Sequence, residues 1–311
     1  MWLLFEEIYK SFLFIWFLIQ NVSLYYNTRQ LLPKYTISYT INDQTKQMNV
    51  YKNSPENSKK FIYFLCGGFV LTNTTYIQKT ISDMCSLYPN IMEEYNIIVL
   101  EKEDQCCLTM YDDLTQFIQQ TTPPSIEEII FIGFSGGGVV SSHVLQRLQN
   151  IDCSKKLILY DCSFSVIDTI LNFYNYYFYR IDYIMYILVK NAFLNHHDYK
   201  TIKDKIVDKY PYLNGVYEYI YMVKSILHYN DDKLRKEASF NFDQTENTKV
   251  FNIYSKNDHI IFPNVSNQFL ENNNKHIKFN MNTMVKNTYG HCSDMAFSTE
   301  YLHYFILALN M

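Results

Sequence analysis

The chain is poor in glycine, with 8 in 311 residues, and it has only 7 prolines. Proteins average about 7% glycine, so collagen-like and glycine-rich linker compositions are excluded. The glycines that remain mark places where φ is positive or two backbones approach too closely for a side chain. Basic runs are missing as well. The net charge is -4, and nowhere do Lys and Arg cluster enough to displace counterions from a polyanion, which excludes a nucleic-acid partner. The 7 cysteines, Cys66, Cys85, Cys106, Cys107, Cys153, Cys162 and Cys292, are odd in number and include no C-x-x-C pair. That spacing excludes a disulfide framework and a zinc ribbon, and it reads as reduced, buried thiols of an intracellular protein.

A long clean hydrophobic run is also absent. Residues 8–26, IYKSFLFIWFLIQNVSLYY, are long enough to cross a bilayer at about 1.5 Å per residue, but Lys10, Ser11, Gln20, Asn21 and Ser23 interrupt them. The unbroken part, 12–19, is too short. A basic n-region and a small-residue cleavage site are both lacking, so a removed signal peptide is not indicated. Two readings stay open for residues 1–30: an apolar helix that associates with a membrane, with Trp2, Tyr25 and Tyr26 suited to an interface, or one that packs on the domain.

What the chain does have is 48% hydrophobic residues, enough for a sizeable core. The excess of Asn, Ile, Tyr, Phe and Lys is what AT-rich coding produces, so the aromatic richness is partly compositional. The sequons at Asn21, Asn73 and Asn264 read as chance matches in an Asn-rich chain.

Residues 35–41 alternate in polarity, as do 47–51 across the turn Asn42-Asp43-Gln44, which predicts an antiparallel hairpin. Continuous apolar runs follow at 61–65, 96–100, 129–132, 156–160, 250–254 and 277–279. Such runs suit strands buried on both faces of a parallel sheet. Helical patterns fit between them at 75–87, 110–120, 137–148, 264–271 and 299–310. Alternation of this kind is the α/β signature. One interruption, residues 164–242, is helical in pattern and dense in aromatics, and it reads as a helical cap inserted into the sheet domain.

The glycine shortage makes the stretch Gly133-Phe134-Ser135-Gly136-Gly137-Gly138 conspicuous. It follows an apolar strand and opens a helix. A serine lifted clear of a sheet on a tight strand-to-helix turn needs small residues two before and two after it, because strand and helix backbones nearly touch there. A phosphate-binding reading fits less well, since the G-x-G-x-x-G spacing and the phosphate-loop lysine are both missing.

On these residues the chain resembles the α/β-hydrolase family over roughly residues 35–311. The resemblance implies a mostly parallel sheet flanked by helices, with Ser135 as nucleophile and the order serine, acid, histidine along the chain. It puts the base at His291, in Asn287-Thr288-Tyr289-Gly290-His291-Cys292, and the acid at Asp258, after the strand 250–254. Asp161, directly after the preceding strand, is the alternative, because some members carry the acid one strand earlier. The oxyanion hole would use the Gly136 N–H and a second N–H from Cys66-Gly67-Gly68-Phe69, with Gly68 or Phe69 as the donor. Cys66 stands where relatives usually show histidine.

Seven of the 8 glycines, all but Gly215, fall in these three turns, and Gly138 has no role in the motif beyond close helix packing. The adjacent His196 and His197 diverge on a helix and make a poor metal pair, while His143, His228 and His303 sit in helical patterns and read as structural.

The resemblance implies hydrolysis of an ester or related acyl bond in a small-molecule or lipid-like substrate, with no metal or organic cofactor. The rival readings are a catalytically inactive member acting in binding or at a membrane, and a peptidase or thioesterase on the same machinery.

Overall fold

A computed structural model of the protein describes residues 8–9, 12, 19, 31–53, 55, 58–67, 73–100, 111–166, 168–169, 172, 232–241, 248–258, 261, 263–273, 279–285, 291–292 and 299–311. The apolar and alternating runs form the strands β1 (Lys34–Ile41), β2 (Gln44–Lys52), β3 (Lys60–Gly67), β4 (Tyr95–Leu100), β5 (Glu128–Ser135), β6 (Ser154–Tyr160), β7 (Thr248–Ser255) and β8 (Phe279–Val285). They join in one sheet in the order β1-β2-β4-β3-β5-β6-β7-β8. The β1–β2 and β2–β4 pairs are antiparallel, and every pair from β4 to β8 is parallel.

Helices alternate with these strands: α1 (Asn73–Leu87), α2 (Ile91–Glu94), α3 (Tyr111–Thr121), α4 (Gly137–Arg147), α5 (Asp232–Glu237), α6 (Pro263–Asn273) and α7 (Glu300–Asn310). Pro263 opens α6, where its missing N–H costs no hydrogen bond. On α7 the buried residues Tyr301, Leu302, Phe305, Ala308 and Leu309 repeat at helical spacing, which gives the helix one face to bury.

The pleat sends successive strand residues to opposite faces, and both faces are apolar. Tyr63, Leu65, Ile129, Phe131, Leu157 and Leu159 belong to a core that α3 and α4 cover with Leu114, Phe117, Val140 and Val144. Ile62, Phe64, Ile130, Ile132, Ile158 and Tyr160 belong to a second core, which α1 and α7 cover with Ile77, Ile81, Tyr301 and Phe305. The charged residues at the strand starts obey the same burial rule by pairing. Lys156 Nζ lies 3.1 Å from Glu128 Oε1 across β5 and β6, and it donates to the Leu309 carbonyl at 2.5 Å.

Two strand expectations need correction. The hairpin turn is tighter than predicted: Asn42 and Asp43 alone turn the chain, at φ 50° and 61°, and pairing begins at Ile41↔Gln44. That two-residue turn, with both central residues at positive φ, matches the twist of the strands it joins. The last strand, expected at 277–279, is described at Phe279–Val285; residues 277–278 lie outside the described residues, and the apolar signal faded because β8 is an edge strand. Its exposed face carries polar residues that break the apolar run, and two of them pair inward: Asn280 Oδ1 accepts from Val250 N and Asn282 Oδ1 from Asn252 Nδ2, both at 2.9 Å.

The cap expected at 164–242 lies mostly outside the described residues, but its two ends are visible and pair with each other. Phe240 N donates to Phe164 O at 2.8 Å and Val166 N to Ala238 O at 3.0 Å, so the chain departs and returns side by side. Of residues 1–30 only Ile8, Tyr9, Phe12 and Ile19 are described, each more than half exposed, and the anchor reading falls outside what can be placed. Among the described residues no helix is long and apolar enough to cross a membrane.

Candidate active site

Strands β5, β6 and β7 run parallel, so the residues at their C-terminal ends gather on one edge of the sheet: Ser135 ending β5, Asp161 following β6, and Asp258 in the turn after β7. Ser135 has φ 54°, a left-handed conformation that side chains adopt at a cost of about 1–3 kcal/mol and that tends to mark functional turns. The glycines around it permit this. A Cβ on Gly133 would sit 2.7 Å from the Gly138 Cα and 2.9 Å from the Gly137 carbonyl carbon, which is where strand and helix backbones cross. A Cβ on Gly138 would meet Cys162 Sγ at 1.8 Å, so this glycine, unexplained by the motif, makes room for the residue after Asp161. The turn is also tied from the β6 side, where Ser163 N donates to Ser135 O at 3.1 Å.

His291 and Asp258, 33 residues apart, come together at 2.7 Å between Nδ1 and Oδ2, with side-chain exposures of 9% and 2%. The other Asp258 oxygen accepts from Ile261 N at 2.8 Å, which fixes the carboxylate in the turn. Burial by itself would lower the His291 pKa, but the Asp258 charge, Cys292 and the bonds to both outweigh it, and the pKa lies well above the ordinary 6.5.

Asp161 has a different task from the one considered in the sequence. Its Oδ1 accepts from Ser255 N at 2.7 Å; its Oδ2 accepts from Ser255 Oγ and from Cys292 N, each at 2.8 Å. Its carboxylate therefore joins the end of β7 to the histidine loop through backbone, while Asp258 holds the imidazole. No short motif announces this role, since Cys292 lies 131 residues away. Burial, and then the neighbouring Asp258 charge, push the Asp161 pKa up from 3.8 to about 7.

Between these two values the unfolded chain gives up the proton while the folded protein keeps it, so this group's contribution to stability falls as pH rises from 3.8 to about 7. Thermal melts of wild type and Asp161→Asn across that window are expected to show wild type losing ground to the variant as pH rises. A constant difference in Tm would contradict the shift.

The remaining candidates divide. Gly136 is the N-cap of α4, at φ -63° and directly after Ser135. Gly67 pairs in register with Ser135 at the end of β3, but Gly68 and Phe69, the proposed second oxyanion donors, lie outside the described residues, as does Gly290. His143 is structural, as expected: buried, stacked on Tyr111 at 4.4 Å between centroids, with Nε2 2.9 Å from Ser239 O. Cys85, Cys153, Cys162 and Cys292 are free thiols. A cavity of about 10 Å³ next to the two acids is lined by Asp161, Ser255, Asp258 and Ile261. It has room for one water and not for a substrate.

No protein-family model matches the chain, and no curated protein is significantly similar to it. Solved structures are. The Pyrococcus furiosus esterase Pf2001 superimposes in two crystal forms, at TM-score 0.51 and 15% identity over 90% of this chain and 91% of that one, and at 0.52 and 14% over 90% of each. A Bacillus megaterium epoxide hydrolase aligns at TM-score 0.49 and 13% identity, over 88% of this chain and all of the other. At such identities the esterase likeness speaks to the fold alone.

Proposed function

We propose that this chain, which has the α/β-hydrolase fold, is a serine hydrolase that cleaves an ester or related acyl bond with Ser135, His291 and Asp258. One observation carries the reading: a buried carboxylate on His291 Nδ1, at the same sheet edge as a serine held at positive φ. In this reading Ser135 Oγ attacks the acyl carbon and its proton passes to Nε2 of His291. Asp258 holds the imidazole in the right tautomer and stabilises the imidazolium. The Gly136 N–H, with Gly68 or Phe69, receives the charge developing on the carbonyl oxygen. The proton then goes from His291 to the departing alkoxide as the C–O bond breaks, and water releases the acyl group by the same steps.

That the Pyrococcus furiosus neighbour is named an esterase supports an ester substrate. A lipid-like acyl group would suit the aromatic segment 164–242. A panel of p-nitrophenyl esters, acyl thioesters and peptides, compared by kcat/KM, separates esterase from thioesterase and peptidase. The test of the reaction class is a fluorophosphonate reagent on the folded protein. One label is expected, on Ser135 by mass spectrometry, and folded protein that takes no label would refute the proposal.

The base must be neutral to accept the serine proton. Because the His291 pKa is raised, half-maximal kcat/KM on the acid side is expected above pH 6.5. Asp258→Asn should lower kcat by about 10⁴, through loss of the tautomer and of imidazolium stabilisation, and move that limb to lower pH. An unmoved limb would mean that another group holds the base.

A further inference from the structure

Beside the Nδ1 that Asp258 engages, the other ring nitrogen of His291 faces sulfur: Cys292 Sγ lies 3.8 Å from Nε2. Asp161 completes a cluster. One of its carboxylate oxygens, a ring nitrogen of His291 and Cys292 Sγ all lie within 4.8 Å of one another, with Asp161 and His291 buried and Cys292 half-buried. Nδ1 carries the bond to Asp258, so Nε2, the nitrogen that faces Cys292, is assigned to this set.

We propose that Asp161, His291 and Cys292 form a binding site for a zinc-like divalent cation, and that its occupancy withholds the base from Ser135. The inhibitory half of this rests on the serine-hydrolase reading; the site itself does not. A tetrahedral zinc ion with bonds of about 2.0–2.3 Å holds its ligand atoms roughly 3.3–3.8 Å apart. The sulfur and nitrogen already stand at that spacing, and the carboxylate, within 4.8 Å of both, has to close by about 1 Å, giving up part of its bonding to Ser255 and to Cys292 N as it does so. One sulfur, one imidazole and one carboxylate form a set that favours zinc over magnesium or calcium, which prefer all-oxygen cages.

Charge balances too. An ionised Asp161 and a Cys292 thiolate neutralise a 2+ ion, so the complex adds no net charge to a buried site. Burial holds the Cys292 thiol in its neutral form, up at about 11, in the protein without metal. Asp258 sits on the far nitrogen of the ligating imidazole, where a carboxylate commonly orients a zinc-binding histidine.

Binding involves no change of oxidation state. The Cys292 thiol releases its proton to solvent, together with whatever protons Asp161 and the His291 Nε2 hold at the working pH; the sulfur then donates an electron pair to the ion, and the Nε2 lone pair that would take the Ser135 proton is donated to the metal instead. A chelator reverses all three steps. The device would therefore be a reversible brake, built from the residue next to the base and from the acid that anchors its loop.

The test uses the full chain, stripped with chelator and titrated with zinc chloride by calorimetry and with cobalt chloride by absorption. One ion per chain is expected, with a thiolate-to-cobalt charge-transfer band that Cys292→Ser abolishes. Zinc affinity should fall at least about tenfold in Cys292→Ser and in Asp161→Asn. Should Cys292→Ser not fold, zinc protection of Cys292 from iodoacetamide, read site by site in wild type, answers the same question.

Ester turnover by wild type should fall in step with zinc occupancy and return with chelator. The site is overturned if no ion binds, if the band is missing, or if Cys292→Ser binds zinc as tightly as wild type. Zinc that binds through Cys292 while turnover continues unchanged overturns the brake and leaves the site standing. A protein with no turnover at all refutes the hydrolase reading, and the band and calorimetry still decide the site.

Discussion

Ser135→Ala is expected to lower ester turnover by about 10⁶ and to abolish fluorophosphonate labelling while leaving the protein folded. The size follows from what is lost. His291 and Asp258 would keep their 2.7 Å bond, but the proton that the proposed mechanism passes to His291 would be gone, and the remaining catalysis would be whatever the proposed oxyanion donors supply. The structural cost should be small, since alanine at φ 54° is no more strained than serine. Ser135→Gly makes the complementary measurement. It should be just as inactive and more stable by about 1 kcal/mol, because glycine accepts that backbone conformation freely. Stability is read from urea denaturation and activity from p-nitrophenyl ester hydrolysis. Turnover surviving in Ser135→Ala would move the nucleophile elsewhere.

The largest expected loss of stability comes from Gly133→Ala. The added methyl would stand 2.7 to 2.9 Å from three backbone atoms of Gly137 and Gly138, and none of them can swing away as a side-chain end can. Relief requires moving α4 off β5, at the centre of both cores, so a loss of more than about 3 kcal/mol is expected, at or beyond what a chain of this kind tolerates. Insoluble expression or an early urea midpoint would show it.

Gly138→Ala is a useful contrast. Its closest clash, 1.8 Å, is with the Cys162 sulfur, a side-chain atom. Removing that sulfur in Gly138→Ala/Cys162→Ala should recover part of the loss, leaving the tighter contacts with Leu159 Cδ2 at 3.0 Å and Cys162 Cβ at 3.1 Å. A double mutant as unstable as Gly138→Ala alone would place the strain in the backbone.

Most of the sheet was legible because its strands are buried on both faces, so each reads as an unbroken apolar run. Helix ends agree with the periodicity to within two residues where a helix was expected. The failures lie where that signal fades. β8, at the edge, carries Asn280 and Asn282 among its apolar residues, and the short α2 has no period to detect.

In the site, the serine turn was visible through its glycines. The choice between Asp161 and Asp258 was not, since both follow a strand and nothing local tells a carboxylate that meets an imidazole from one that meets a backbone N–H. The two are separated by contacts made 33 and 131 residues along the chain. The Gly138 puzzle had the same origin: its reason is Cys162, on the neighbouring strand's exit.

The aromatic contacts on the α7 side of the sheet bear on how the chain reaches its folded state. Phe134, the residue before Ser135, packs at 6.0 Å on Phe305, and Tyr160, before Asp161, stacks at 5.1 Å on Tyr301. Thr80 Oγ1 and Tyr301 OH meet at 3.0 Å, a bond spanning 221 positions. α7 follows every strand in chain order, so during synthesis β5 and β6 are in place well before the helix that shields these rings. Until it docks, Phe134 and Tyr160 belong to an open greasy face on a nascent polypeptide, the kind of surface that chaperones hold and that aggregation exploits. The same two strand ends that carry Ser135 and Asp161 thus wait for α7 to complete their cover while the ribosome is still at work.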